Sequence, residues 1–316
     1  MAVGVQAQGA VAGAHRPPDR FRTLVGFVAS LVPAAVVLIT LTLAQQAQPA
    51  IKQFGWHFLV GTEWNPVTNV FGALPAIFGT VATSFLALVI AVPVGVAVAV
   101  VLVEPGHTNF RGFFGTGIEL LAAIPSVVYG IWALYVLAPW SYEHIEIPVS
   151  EHLTFIGWLQ DPAVRGLFNA GLVLAVMILP TLTAISRDVI RAVPRGLKEN
   201  AVALGATWWE TTWGVILPSA RAGIFGATIL ALGRALGETI AVTMVIGNAY
   251  VIPHSIFQPA YTLASVIANE FTEATGPVYS GALVELGVIL ILVTLVVNVF
   301  ALILVQSTSR QARLTA

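Results

Sequence analysis

Arg234 and Glu238 are the residues of this chain whose chemistry most needs an explanation. They stand four apart in LGRALGETIAV (232–242), inside an apolar stretch. A helix through them puts a guanidinium and a carboxylate on one face, one turn apart. A lone charge in the middle of an apolar span costs about 2.5–3.5 kcal/mol even on the gentler insertion scale, which makes such residues functional candidates by default. An intrahelical ion pair or a wet cavity lowers that cost. An arginine fork also suits an oxyanion, while the nearby carboxylate repels a bare anion. The pair therefore reads as a gate or relay rather than a tight anion cage. The plain alternative is an ion pair that only fixes helix rotation. Two hydroxyl pairs have similar spacing, Thr80 with Ser84 and Thr239 with Thr243. They either line a polar path or bond their own i−4 carbonyls. Arg234, Glu238, Thr239, Thr80 and Ser84 form the candidate pathway set.

Other chemistry is poorly supported. There is no cysteine, which removes disulfides, thiolate metal sites and thiol catalysis. The two lysines, Lys52 and Lys198, sit in no G-x-x-x-x-G-K-[ST] loop, so the chain has no ATP site of that kind. The six histidines make no H-E-x-x-H. His144 and His152 near Glu143, Glu146 and Glu151 hint at a metal, but a solvated loop explains them more simply. Ser126 and Ser186 lack a G-x-S-x-G context. No metal, cofactor or catalytic residue is expected in this chain.

The elements that must carry the candidate residues are membrane spans. Of 316 residues, 57% are hydrophobic and 9% charged, with a mean hydropathy of +0.88. Soluble domains carry roughly 25% charged residues. Residues 1–23 are small and polar with a Pro17-Pro18 pair and read as a disordered tail. Six apolar runs of bilayer-spanning length follow, at 24–43, 77–103, 117–138, 167–186, 222–246 and 281–305. The first is too long for the core of a signal peptide. The organisation expected is a tail (1–23), a first span with its outer loop (24–70), a transmembrane domain (71–305) and a second tail (306–316). Pro93, Pro125 and Pro180 are expected to kink their helices. Gly79, Gly95, Gly226 and the Gly233/Gly237 GxxxG step offer close helix approach. Glu119 and Glu285 fall near span ends, where an interfacial position is the simplest reading.

Basic residues orient the chain. The N-terminal tail, residues 104–116, residues 187–221 and the C-terminal tail hold eleven Lys and Arg, against two in the alternate loops. The positive-inside rule then puts both termini in the cytoplasm. It puts the segment 194–221, PRGLKENAVALGATWWETTWGVILPSAR, on the same side. Pro194 suits a helix start, and Leu197, Ala201 and Leu204 fall on one face. Gly205 can close that helix in the left-handed conformation. Thr207 with Glu210 is a capping box that opens a second helix, and Pro218 marks an expected bend.

Glu199-Asn200-Ala201, three residues, Gly205, nine residues, then Val215-Ile216-Leu217-Pro218 resembles the EAA loop of ABC importer permeases. Asn200 and Val215 depart from the family's Ala and Ile. The resemblance implies a type I ABC importer permease fold. It also implies that Glu199, Asn200, Ala201, Gly205, Leu217 and Pro218 belong to a coupling helix docking into a separate ATPase. GRALGET, with ELLAAIPSVVYG at 119–130 and FGALPAIFGTVATS at 71–84, is similar to phosphate-importer permeases of the PstC type. In that family the intramembrane Arg and Glu are implicated in transport, and Arg234 and Glu238 are the matching positions. The partners so implied are a second permease (PstA-like), an ATPase dimer holding ATP and Mg (PstB-like) and an extracytoplasmic phosphate-binding protein (PstS-like). A permease for another oxyanion or solute is the nearest alternative. A stand-alone channel or secondary transporter comes next, although no inverted repeat is visible between 24–138 and 167–305.

Overall fold

The computed structural model describes residues 19–103 and 108–314. The tail predicted at 1–23 lies outside them up to residue 18, as do residues 104–107 and the Glu119 side chain. Of these described residues, those up to Thr42 and those from Leu43 onward form two compact units. Helix α1 (Asp19–Gln46) runs unbroken through Pro33 and begins early enough to include Arg20 and Arg22.

The segment expected to be a loop before the second span is structured. It holds α2 (Gln48–Phe54), α3 (His57–Val60) and a hairpin of β1 (Trp64–Asn65) and β2 (Val70–Phe71), with Trp64 opposite Phe71. The Asn65 side chain turns the hairpin by accepting the Val67 N–H at 3.0 Å. Helix α4 (Leu74–Val103) then continues unbroken through Pro93.

The third span differs from expectation. Helix α5 (Thr108–Ala123) ends at Ile124-Pro125, and the chain turns by 98° into α6 (Ser126–Trp132). Beyond α6 it continues through a π turn (Ala133–Leu137), α7 (Ala138–Ser141), a second π turn (Tyr142–Glu146) and α8 (Ile147–His152). Pro125 has no N–H for the carbonyl four residues earlier, that of Leu121. The Tyr129 hydroxyl donates to that carbonyl at 2.8 Å. Residues 139–152, expected in an outer loop, are therefore helical. Glu146 is fully buried there and accepts from Asn169 Nδ2 at 2.6 Å. Among the described residues no three metal-ligating side chains converge.

Helix α9 (Leu167–Arg191) passes through Pro180 without a break. It packs on α4, with Leu86 against Gly171 and Gly95 against Leu182. Residue numbers rise together on both helices, so they run parallel and the bent third span is the return crossing. Then come α10 (Arg195–Ala203), α11 (Trp208–Thr211), a third π turn (Thr212–Ile216) and α12 (Leu217–Leu236). The last three form one rod from Trp208 to Leu236. The helix is unbroken at Pro218, which a π turn immediately precedes. The fifth span ends at Leu236, and the short α13 (Ile240–Val245) follows a break.

The segment 247–280, expected to be loop, holds α14 (Leu263–Glu270), capped by Thr262, whose Oγ1 accepts the Ser265 N–H at 3.2 Å. The final helix α15 (Pro277–Leu314) outruns its predicted ends. Among the described residues five helices are long and apolar enough to cross a bilayer, and the bent third span, taken as one, makes six.

Lipid supplies no hydrophobic drive between helices, so close van der Waals packing has to. Ala87, Ala91, Leu174, Ile178, Leu182, Ala231 and Val242 share one buried cluster. Gly79 lets α4 touch the α14 approach: a Cβ there would stand 2.1 Å from the Tyr261 carbonyl oxygen. The Gly233/Gly237 step makes no such crossing among the described residues. A Cβ on Gly233 meets only Asn298 Nδ2 at 3.7 Å, and Gly237 lies past the helix end. At the end of α4 remote from α10, an aromatic cluster caps the bundle. Phe71 stacks on Tyr279 at 5.2 Å, and Glu270 accepts from Trp64 Nε1 at 2.5 Å and the Tyr279 hydroxyl at 2.8 Å. Burial first, then the Glu270 carboxylate and Tyr261, raises the Tyr250 phenol above its ordinary range and keeps it a donor to the Gly72 carbonyl.

The Tyr129 latch is testable. Tyr129→Phe leaves the Leu121 carbonyl only the longer bond from the Ile124 N–H, at 3.3 Å, and lowers the unfolding free energy of the purified protein by about 0.5–1.5 kcal/mol. Denaturant unfolding in detergent reads the change; an unaltered midpoint means the Ile124 bond suffices.

Candidate functional site

Two places collect the predicted residues: the 194–221 segment and the end of α12.

The first folds as its local chemistry dictates. Pro194 precedes α10 in extended geometry (φ −56°, ψ 130°). Gly205 has φ +87°, the left-handed conformation that needs glycine. The Gly205 N–H donates to the Val202 carbonyl at 2.9 Å and the Ala206 N–H to that of Ala201 at 3.1 Å, the two bonds of a Schellman motif. Thr207 Oγ1 accepts the Glu210 N–H at 3.3 Å, and Glu210 Oε2 accepts the Thr207 N–H at 2.8 Å. Both halves of the capping box are present. These reciprocal bonds fix the angle between α10 and the rod that begins at Trp208.

The outer face of this segment is open and apolar. Leu204 is 89% exposed and Val202 56%, and Leu197, Trp209 and Trp213 are exposed as well. Glu199, Asn200, Gly205 and Pro218 are also exposed, while Ala201 and Leu217 are half-buried. Nothing lies within 4 Å of a Cβ built on Gly205. Exposed leucine and tryptophan on a segment flanked by arginines is the composition of a protein-docking face. Behind α10 lies a cavity of about 890 Å³, between it and the ends of α4 and α9, lined in part by Arg191, Arg195 and Lys198.

At the end of α12 the expected ion pair does not form. The helix stops at Leu236, and Gly237 (φ −92°, ψ −3°) leads into a turn. The i, i+4 register between Arg234 and Glu238 is thereby lost. Glu238 is half-buried, and its Oε1 accepts the Ala241 N–H of α13 at 3.4 Å. Arg234 is exposed and donates from Nη1 to Thr181 Oγ1 on α9 at 3.4 Å. Tyr129 of α6 stands within electrostatic reach of the Arg234 guanidinium. The crossing of α6 on α13 beside it is tight: a Cβ on Gly130 would stand 2.6 Å from Met244 Sδ and 3.0 Å from Ala241 Cα. The bend at Pro125, the residue after Pro180 and the break at Gly237 thus converge on Arg234.

The hydroxyl candidates separate. Thr80 is buried, donating to the Ala76 carbonyl at 2.7 Å and accepting the Leu263 N–H at 2.9 Å. It ties α4 to α14 and faces no open path. Ser84 is buried, with no partner for its Oγ among the described residues. Thr239 is half-buried in the turn beside Glu238, and Thr243 bonds the Thr239 carbonyl at 2.7 Å. Glu285 of α15 is buried. Thr181 and Tyr129 were not singled out from the sequence. Their only signals are position, Thr181 directly after Pro180 and Tyr129 four residues after Pro125.

A coupling-type segment on one end of the bundle and a polar break inside it are features of transport subunits. Residues 91–310 match the family of binding-protein-dependent transport system inner membrane components. The chain belongs to this family. It is 44% identical to the phosphate transport system permease protein PstC of Pasteurella multocida (strain Pm70), over 93% of both chains. Identity is 46% to the PstC of Mesorhizobium japonicum, over 83% of this chain and 82% of that one. A PstC 1 of Mycobacterium tuberculosis is 38% identical over 91% of this chain and 93% of its own. The fold is also that of a solved bacterial ABC transporter involved in alginate import, with a TM-score of 0.59 at 17% identity over 92% of this chain and 97% of that one. The protein is a multi-pass membrane subunit of an ABC transport system.

Thr207→Ala removes the Oγ1 that accepts the Glu210 N–H, keeps the backbone N–H that donates to the Glu210 carboxylate, and costs about 1 kcal/mol locally. Hydrogen exchange checks it: the amides of Trp209 and Glu210 exchange faster while α9 is unchanged. Unaltered exchange there would mean that the box does not hold the α10–rod angle.

Proposed function

We propose that this protein is the transmembrane permease subunit of an ATP-driven importer of inorganic phosphate. The observation that carries the reading is 44% identity to a phosphate transport permease across 93% of both chains. The uncompensated Arg234 at the end of α12 supports it, since a guanidinium fork is well matched to a phosphate oxyanion. An extracytoplasmic phosphate-binding protein of the PstS kind delivers the ion. A PstA-like permease completes the membrane path, and a PstB-like ATPase dimer supplies ATP, Mg and hydrolysis. Both termini and the 194–221 segment face the cytoplasm, as eleven basic residues against two imply.

The mechanism follows from connectivity. The ATPase grips α10 through Glu199, Asn200, Ala201 and the Leu197–Leu204 face. The Schellman turn at Gly205 and the capping box pass that motion to the rod. From Trp208 to Leu236 the rod is uninterrupted, about 43 Å at 1.5 Å per residue. It ends at the turn holding Arg234, Glu238 and Thr239. Closing the ATPase dimer therefore displaces the oxyanion-facing residues without a flexible joint between. Alternating access needs such a two-state element.

A gentle-detergent pull-down from native membranes, followed by phosphate uptake with the recovered complex in vesicles, tests the reading. It expects a P-loop ATPase and a second EAA-bearing permease, with ATP-dependent uptake. Recovery of this chain by itself would overturn it. Two variants probe the parts. Gly205→Val meets no neighbouring atom, so it acts through backbone strain of about 1–2 kcal/mol. It lowers uptake while ATP hydrolysis continues; coupled transport at the parental ratio would remove Gly205 from the docking role. Glu238→Gln keeps an acceptor for Ala241 but deletes the charge, and it slows uptake without reducing assembly. Unchanged uptake kinetics in assembled Glu238→Gln would leave Glu238 only its capping bond.

A further inference from the structure

We propose that the Thr181 hydroxyl is a direct contact for the transported oxyanion, donating its proton beside the Arg234 guanidinium. The inference rests on the phosphate-permease reading and adds to it a residue on a different helix.

The first observation is what Arg234 lacks. Among the described residues it has no carboxylate partner, and Glu238 is turned onto α13. Its printed anchor is Thr181 Oγ1 on α9, at 3.4 Å. An arginine in the last turn of a helix is drawn toward that helix's own free carbonyls. A bond across to α9 holds the fork off them. With one N–H engaged, the other guanidinium donors of an exposed side chain stay available.

The second observation is what Thr181 does not do. A helical threonine ordinarily returns its hydroxyl proton to the i−4 carbonyl. Thr80, Thr83, Thr212, Thr228 and Thr243 do so, at 2.7–3.0 Å, while the fully buried Thr183 and Thr211 do not. Thr181 makes no such bond among the described residues, and it is half-buried at the opening where Arg234 is exposed. Its oxygen accepts from Arg234, so its proton points to whatever occupies the space beside the guanidinium. Two donors from two helices then converge on one point. Irregular backbone at membrane depth persists where it is buried in protein or lines a wet cavity. The turn at Gly237 and the bend latched by Tyr129 both border this point. An oxyanion that takes both donors bridges α9 and the end of α12, which gives its passage a direct hold on the rod.

The test uses the whole transporter, with its receptor, sibling permease and ATPase, in vesicles supplied with inorganic phosphate. Thr181→Val keeps the side-chain shape and removes the hydroxyl; Thr181→Ser keeps the hydroxyl. Thr181→Val is expected to lower the uptake rate about tenfold, the size of one hydrogen bond to a charged group. Receptor-stimulated ATP hydrolysis continues, so the ATP used per phosphate rises. Thr181→Ser is expected to transport like the parent. Combined with Arg234→Gln, Thr181→Val should add little, because the two donors act as a pair. The proposal is overturned if Thr181→Val transports normally, if Thr181→Ser is equally damaged, or if the two losses multiply in full. Loss of ATP hydrolysis or of assembly in Thr181→Val would also overturn it, by showing a structural role. Normal Thr181→Val with a dead Arg234→Gln removes Thr181 and leaves the permease reading standing. Normal uptake in Arg234→Gln removes the pathway itself, and this contact with it.

Discussion

A proline inside a helix frees the carbonyl one turn before it, and in hydrocarbon that carbonyl has no water to turn to. Much of this structure is a set of answers to that constraint. At Pro139, Pro148 and Pro218 the answer is the same. The preceding turn widens to a π turn, and the residue just before the proline reaches back five places: Ala138 to Ala133, Ile147 to Tyr142, Leu217 to Thr212. The extra residue relieves the clash and the helix stays a helix. At Pro125 the answer is the opposite. No π turn forms, the chain bends by 98°, and a side chain, Tyr129, satisfies the Leu121 carbonyl from the far side of the bend.

The difference matches what each place must do. In the proposed mechanism the rod from Trp208 to Leu236 carries displacement from an exposed loop to the half-buried turn beyond Leu236, and a kink at Pro218 would dissipate it. The bent third span returns the chain between parallel α4 and α9 and opens a polar point beside Arg234. π turns and helix breaks are both irregular, but only the first preserves stiffness. The fold spends its prolines according to that distinction.

How much of this could be read in advance depends on how local each feature is. The 194–221 segment was legible residue by residue, because Pro194, Gly205, Thr207 and Glu210 act within one turn of themselves. Composition fixed the number of spans. Breaks and bends were not legible, because a proline or glycine permits several outcomes and neighbours choose among them. Gly237 ends α12, although Gly226 and Gly233 in the same helix do not. Beyond that break, α13 is seated tightly on Gly130 of another span. The Arg234–Glu238 pair failed as an expectation because of the break, since i, i+4 spacing presumes an unbroken helix. Thr80 shared its face with Ser84 as expected, yet its bonds were taken by Ala76 and Leu263, the latter 183 residues away. Thr181 has no sequence pattern at all; only a fold that brings α9 to the end of α12 gives it a role.

The lost ion pair is more informative than the expected one. On a continuous helix the separation of Arg234 and Glu238 would be fixed by 3.6-residue geometry whatever the loop outside was doing. Here Arg234 ends the rod and Glu238 begins the next piece, held to α13 by its bond to the Ala241 N–H. Displacing the rod against α13 changes the distance between cation and carboxylate, and with it the cost of leaving the guanidinium unpaired. With the carboxylate held away, an oxyanion is the best partner in reach; with it near, the guanidinium is already neutralised and an anion is repelled. Under the proposed importer mechanism, a single broken turn would convert movement of a helix into a change of anion affinity. That is the property a coupled transporter requires and a stiff salt bridge would deny it.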